Sequence, residues 1–224
     1  MLAPDTWERH RIISRLVGEP DRLLDVGGVA GQLELFLPGT EILAANVEAP
    51  ADLIYDGRRL PLADDSFAAA VSLDVLEHLD RAHRADHLGE LTRVASGRVV
   101  LCCPLGTPAH VEAERELAAW YRSTFGEAHR FLEEHLERGL PTEDELRGLG
   151  AAGGRDFTLR FHGDFRRTDD LFKLASLARR RPSPRALTAY LRARLGRRGP
   201  GELLARSEPY TNRAFLIGDP SRSG

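Results

Sequence analysis

Nine residues, Leu23-Leu24-Asp25-Val26-Gly27-Gly28-Val29-Ala30-Gly31, constrain this 224-residue chain more than any others. An apolar strand runs into an acid and then a glycine turn. Glycine has no Cβ, so the turn can bend sharply and hold bare backbone N–H groups against a ligand. Residues 32–37 read as a short helix opening from that turn. Strand, turn and helix in this order form the first unit of a parallel α/β sheet. Such sheets bind ligands beyond the carboxyl ends of their strands. An acid at that end suits hydroxyls or a positive charge and repels a pyrophosphate. The turn therefore points to a nucleoside-type cofactor without phosphates.

The rest of the first half continues the alternation. A helix is expected over 6–17, capped by Asp5, with Trp7, Ile12, Ile13 and Leu16 as its apolar stripe. Strands are expected at 23–26, 41–46, 51–55, 68–73 and 99–103, and a second long helix at 81–95. Apolar runs separated by helices predict a doubly wound parallel sheet covered on both faces. After residue 103 the pattern changes. Residues 111–145 hold ten acids against four arginines, with helical periodicity at 111–125 and 131–136. Trp120, Tyr121 and Phe125 are the expected aromatic anchors there, as a lid over an acceptor or as a packed surface pair. Residues 148–154 read as a flexible stretch, 157–161 and 213–218 as the last strands, and 219–224 as a loose tail. Residues 171–206 carry ten basic side chains against Glu202 alone. They are either solvated, pairing with the acidic segment, or a surface for an acidic partner.

Five short motifs follow one another in the first half: Asp25 to Gly31; Asn46-Val47-Glu48 at the end of the second strand; Tyr55-Asp56-Gly57; Leu60-Pro61-Leu62-Ala63-Asp64-Asp65-Ser66-Phe67; and Ser72-Leu73-Asp74-Val75-Leu76-Glu77-His78-Leu79. In this order and spacing they resemble the class I S-adenosylmethionine-dependent methyltransferases, over residues 22–105. The resemblance is nearest to the small-molecule group that includes the quinone-biosynthesis enzymes. It implies a Rossmann-like, seven-stranded, mostly parallel sheet with a helical insertion after strand five.

The same resemblance implies a set of roles. Asp25 and Gly27 would meet the methionine part of S-adenosylmethionine, with Gly27, Gly28 and Gly31 shaping the turn. Asn46 and Val47 would hold the ribose, Asp56 and Gly57 the adenine, and Leu73 would line the methyl donor. The demands match the chemistry: acceptors for a cationic amino acid, for a diol and for an exocyclic amine. Three positions depart from the family pattern, the slightest being Ala68, where an acid commonly follows the phenylalanine. Val29 stands where a middle glycine is usual, and Asn46 where a carboxylate is usual, with Glu48 as its rival for the ribose. A nicotinamide site is excluded because Val26 would occupy its first glycine position.

Methyl transfer from a sulfonium needs alignment, exclusion of water and, for oxygen acceptors, a base. His78 is the candidate base, with Asp74 and His110 behind it. His83 and His87 lie four residues apart on the expected helix and read as a solvated face. His129 and His135, six apart, share no helical face, so no metal is expected. Cys102 and Cys103 are neighbours in a strand and point to opposite faces as core residues. With 29% charged residues and a net charge of −3, the totals favour neither a nucleic-acid binder nor a membrane protein. The expected enzyme is thus one domain over 1–224: a cofactor half at 22–105, a helical insertion or lid at 106–150, and strands with basic helices at 155–219. It would be cytoplasmic, acting on a sugar, quinone or secondary metabolite at oxygen or nitrogen. Expected partners are this small-molecule acceptor and at most a second copy of the chain, with no nucleic acid and no transmembrane segment. The alternatives are a methyltransferase-fold scaffold without turnover, or an RNA methyltransferase using the basic segment.

Overall fold

The structure, a computed structural model, describes residues 2–195 and 202–220. In chain order the long elements are α1 (Pro4–Val17), β1 (Arg22–Val26), β2 (Glu41–Asn46), β3 (Leu53–Ile54), β4 (Phe67–Leu73), α2 (Arg81–Val94), β5 (Ala95–Pro104), α3 (Pro108–Phe125), α4 (Arg130–Arg138), α5 (Glu143–Ala152), β6 (Phe157–Asp164), α6 (Phe165–Arg180), α7 (Pro184–Leu195) and β7 (Thr211–Gly218). The seven strands make one sheet in the order β3-β2-β1-β4-β5-β7-β6. β1 to β5 run parallel, and β7 runs antiparallel to both β5 and β6. The doubly wound, mostly parallel sheet expected from the sequence is therefore present.

Both faces of the central strands are buried, because neighbouring residues in a strand point opposite ways. Leu24, Ala70, Leu101 and Cys103 enter the core under α2 and α5, together with Leu88, Leu91 and Leu146. Leu23, Val71, Val100 and Cys102 enter the other core, together with Ile12 and Ile13 of α1. The two cysteines are thus buried, free and on opposite faces.

Several expectations are corrected. α1 starts at Pro4 with Ala3 as its cap residue, because proline presets the first helical turn; Asp5 lies inside the helix and pairs with Arg9. Residues 32–37 form only a single 3-10 turn, Leu33–Leu35. Pro38 disfavours a helical Leu37, so no helix follows. Strand β3 is two residues long, because Pro50 has no N–H and the Asp52 carboxylate takes the Ala44 N–H. The 148–154 stretch is mostly helical: α5 starts on Thr142, whose hydroxyl accepts the Glu145 N–H, and three acids occupy its first turn. The basic segment forms α6 and α7, part of it (196–201) lies outside the described residues, and so do 221–224 of the tail.

Candidate active site

One cavity of about 1730 Å³ opens at the carboxyl ends of the parallel strands. Gly27 and Gly28 form its wall beyond β1, Asn46, Val47 and Glu48 beyond β2, and Asp56 and Gly57 beyond β3. Leu73, Asp74, Glu77 and His78 form its wall beyond β4. Of the residues named from the sequence, Gly27, Gly28, Asn46, Val47, Asp56, Gly57, Leu73 and His78 all line it. Asp25 and Gly31 do not.

The glycine turn explains both exceptions. Gly27 has φ +83°, and a Cβ there would stand 2.1 Å from the Val75 side chain. At Gly28 a Cβ would stand 2.0 Å from Asp25 Oδ2, so the Asp25 carboxyl occupies the space that glycine leaves free. Asp25 is therefore one backbone layer below the cavity wall, 1% exposed, not in it. Its Oδ1 has no hydrogen-bond partner among the described residues. Burial, with some help from Glu34, pushes its pKa up to about 7. Gly31 also has positive φ, +85°, but faces open space and gives its N–H to Glu34. Its role is to turn the chain. Val29 lies between these two glycines and is not among the residues of positive φ, so its position places no demand for glycine.

Asn46 does a different job from the expected one. Its Nδ2 donates to the carbonyls of Gly27 (3.0 Å) and Gly28 (3.1 Å), and its Oδ1 accepts the Val47 N–H at 2.7 Å. Both amide hydrogens are thus spent on bracing the turn, which leaves one lone pair on Oδ1 for a ligand hydroxyl. A carboxylate has no hydrogen to give those two carbonyls. Glu48 is exposed and lies 3.6 Å from Arg130 of α4. Asp56 closes a local turn with one oxygen, accepting from the N–H groups of Arg58 and Arg59.

The other side of the cavity is assembled from distant parts of the chain. Asp74, at φ +54° just past β4, is clamped between Arg9 of α1 (2.6 Å) and Arg213 of β7. Burial alone would raise the Asp74 pKa, but Arg213 and Arg9 outweigh it and hold the group below the usual carboxylate range. The next turn, Leu76–His78, lies under α4. Here Glu77 is 1% exposed with Oε2 unpartnered, and burial plus the Asp74 charge push its pKa up to about 8. His78 has Nδ1 2.8 Å from Glu134 and Nε2 3.4 Å from Nε2 of His135. Burial and the neighbouring His135 lower its pKa. His135 Nδ1 meets Glu114 at 2.9 Å; burial opposes protonation there, but the Glu114 bond wins and raises the pKa. His78, the candidate base, thus has both of its nitrogens close to other titratable groups.

The remaining candidates divide differently from the expectation. His110 is buried, bonded to the Leu105 carbonyl and stacked on Phe165. His87 is buried with Nε2 2.9 Å from the Ser72 hydroxyl, and burial lowers its pKa to about 4, whereas His83 is exposed. The two are not one solvated face. Trp120, Tyr121 and Phe125 do not line the cavity either. They pack on one another, and α6 answers them with Phe172 and with Lys173 and Arg180 over the rings. Arg180 also pairs with Glu127, so part of the basic segment does neutralise the acidic one. The side chains that cover the cavity come instead from α4, notably Phe131, Glu134 and His135. Arg9 and Arg213 are missing from the sequence reading, and His135 is set aside there beside His129, because no local motif marks them; the Asp74–Arg213 pair spans 139 residues.

No protein-family model matches the sequence, and no curated protein matches it. Solved structures do resemble the fold. A geranyl diphosphate C-methyltransferase from Streptomyces coelicolor superposes with a TM-score of 0.56 at 12% identity, over 95% of this chain and 79% of that one. Phosphoethanolamine N-methyltransferase 2 of Haemonchus contortus gives 0.58 at 14% identity over 96% of this chain, which spans 53% of that protein's length. A SAM-dependent methyltransferase from Thermotoga maritima gives 0.58 at 13% identity, covering 96% and 89%. The architecture shared with these proteins is the class I methyltransferase fold: a seven-stranded, mostly parallel sheet with one antiparallel strand between β5 and β6.

Proposed function

We propose that the protein transfers the methyl group of S-adenosylmethionine to a small-molecule acceptor, a sugar, quinone or secondary metabolite of the kind handled by the quinone-biosynthesis group. One observation carries the reading. A single cavity joins Asp56 with Gly57, Asn46 to Glu48, the glycine turn and Leu73, which follow one another in the sheet order β3-β2-β1-β4, as an adenine, a ribose, a methionine and the methyl-acceptor side would need them. The orphaned Asp25 carboxyl fits the cofactor as well, since an ammonium group above Gly27 and Gly28 would supply the cation that this buried acid lacks. The cofactor, when bound, supplies an electrophilic methyl carbon on a sulfonium. The chain's own residues hold and exclude. Asn46 braces the turn and keeps one lone pair for a ribose hydroxyl, Asp56 keeps one oxygen for the adenine amine, and Leu73 gives an apolar wall. Within residues 106–150, α3 and α4 form the cap of the acceptor side, with α4 as the covering helix. The Glu77–His78–His135 group, which contains the candidate base His78, lies on the acceptor side of the cavity, where an oxygen acceptor would lose its proton.

Two of the neighbours are named for small molecules, geranyl diphosphate and phosphoethanolamine, which supports the acceptor class. The test is incubation of the protein with S-adenosylmethionine and a panel of small hydroxyl- and amine-bearing acceptors, read by mass spectrometry. The expected result is a mass gain of one methyl group on one acceptor class together with release of S-adenosylhomocysteine. Methylation of RNA and of no small molecule would overturn the proposal.

A further inference from the structure

The turn after β4 and the middle of α4 bring three metal-binding side chains together, although His78 and His135 are 57 residues apart. The Nε2 atoms of the two histidines face each other at 3.4 Å, which is long for a hydrogen bond between ring nitrogens. Two nitrogens each bonded to a tetrahedral zinc ion stand about 3.3–3.4 Å apart, given bonds of roughly 2.0–2.1 Å. The separation is thus the one a metal between them would set. A carboxylate oxygen of Glu77 completes the group, with all three ligand atoms within 4.8 Å of one another.

The surroundings repeat the pattern of a metal site. Each histidine has its other nitrogen near a carboxylate: His135 Nδ1 is hydrogen-bonded to Glu114 at 2.9 Å, and His78 Nδ1 lies 2.8 Å from Glu134 at ion-pair distance, out of line for a hydrogen bond. Metal-bound histidines are oriented in this way, because an acceptor on one nitrogen fixes the proton there and leaves the lone pair of the other for the ion. Glu77 is 1% exposed, and its Oε2 has no partner among the described residues. A buried carboxylate oxygen without a donor is neutralised either by a proton or by a cation, and the two imidazole nitrogens beside it favour the cation. We propose that Glu77, His78 and His135 bind one divalent transition-metal ion of the zinc, cobalt or manganese type, oriented by Glu134 and Glu114. Two imidazoles and one carboxylate leave at least one coordination position open, and the group lies in the wall of the cavity. Where the methyltransferase reading holds, that position takes an oxygen of the acceptor. The metal site itself does not depend on that reading.

The test is calorimetric titration of the full-length, chelator-treated protein with zinc chloride, followed by cobalt chloride with visible absorption as the readout. The wild type is expected to bind one ion per chain, with cobalt giving the intense bands of a four-coordinate site. His135→Ala and Glu77→Gln should each weaken binding at least tenfold. Glu114→Gln, which touches only the far nitrogen of His135, should weaken it by about tenfold, the cost of losing an orienting partner. His83→Ala, at an exposed histidine outside the group, should bind as the wild type does. Circular dichroism of each variant separates lost binding from lost folding, and the wild-type titration needs no variant at all. Absence of saturable binding to the wild type, or binding that survives both Glu77→Gln and His135→Ala, overturns the proposal. S-adenosylhomocysteine titrated into the same metal-free protein tests the cofactor reading separately, so either proposal can fail alone.

Discussion

The two walls of the cavity are built on different principles. On the β1–β3 side the shape comes from backbone: a glycine turn with φ +83° at Gly27, a second glycine whose missing Cβ is replaced by the Asp25 carboxyl, and an amide that clamps both carbonyls. On the β4–α4 side it comes from side-chain charge: Asp74 between Arg9 and Arg213, and two histidines each held by a glutamate. A backbone wall is fixed by residues near one another in sequence and tolerates few substitutions. A charge wall is fixed by distant residues and fails when one partner loses its charge.

This contrast is open to direct attack, and the largest effect belongs to the backbone wall. Gly28→Val sets a side chain where the Asp25 carboxyl stands, and it should abolish S-adenosylhomocysteine binding in calorimetry; binding within tenfold of wild type would mean that the turn is far softer than its geometry implies. Asp74→Asn attacks the charge wall. It leaves Arg213, only 8% exposed, without its counter-ion, and a broken buried pair costs about 3–5 kcal/mol in denaturant unfolding. Asn46→Asp tests whether that residue serves the ligand or the loop. Restoring the family's acid removes both donors from the glycine carbonyls, so stability should fall by about 1–3 kcal/mol and cofactor affinity should drop. Tighter binding in this variant would restore the ribose role.

Smaller effects follow from the buried acids. Asp25 has a pKa of about 7 in the fold against an ordinary 3.8, so between those values the folded protein holds a proton that the unfolded chain releases. Each step up in pH through that window therefore favours unfolding, and Glu77, at about 8 against 4.5, adds to the trend. Buried histidines such as His87, held near 4, act in the opposite sense below about pH 6.5, so the window to read lies above it. There the thermal midpoint of ligand-free protein should fall up to about pH 8, and less steeply in Asp25→Asn. Parallel profiles for wild type and Asp25→Asn over this range would show that Asp25 does not hold the extra proton. The smallest change is Val29→Gly. The position does not use positive φ, so cofactor affinity should stay within about threefold, equal or slightly tighter.

The same contrast explains what was legible in the sequence. The strands that carry the glycine turn, Asn46, Asp56 and Leu73 could be read within a residue or two, because apolar runs and glycines are local signals. Which atoms of those residues face the cavity could not be read: Asp25 lies behind Gly28, and Asn46 spends its hydrogens on the turn. The charge wall was almost invisible. His78 stood out in Leu76-Glu77-His78, but its partners His135 and Glu134 sit in a helix with no motif of its own, and Arg9 and Arg213 lie near opposite ends of the chain. For the same reason the sequence left Trp120, Tyr121 and Phe125 open between a lid and a packed surface pair, since only the packing of α3 on α6 shows that those rings pack together off the cavity. Helix α5 was missed because Gly148 and Gly150 read as flexibility, whereas Gly150 packs closely on Phe157.

The central claim is that the glycine turn, with Asp25 beneath it, receives the cationic amino-acid end of a sulfonium nucleoside. Calorimetry comparing S-adenosylhomocysteine with methylthioadenosine, which lacks that end, tests it in wild type and in Asp25→Asn. The account predicts that the wild type binds S-adenosylhomocysteine at least about tenfold more tightly than methylthioadenosine, and that Asp25→Asn narrows the gap by weakening the former alone. No binding of S-adenosylhomocysteine at millimolar concentration, or a gap unchanged in Asp25→Asn, would contradict it.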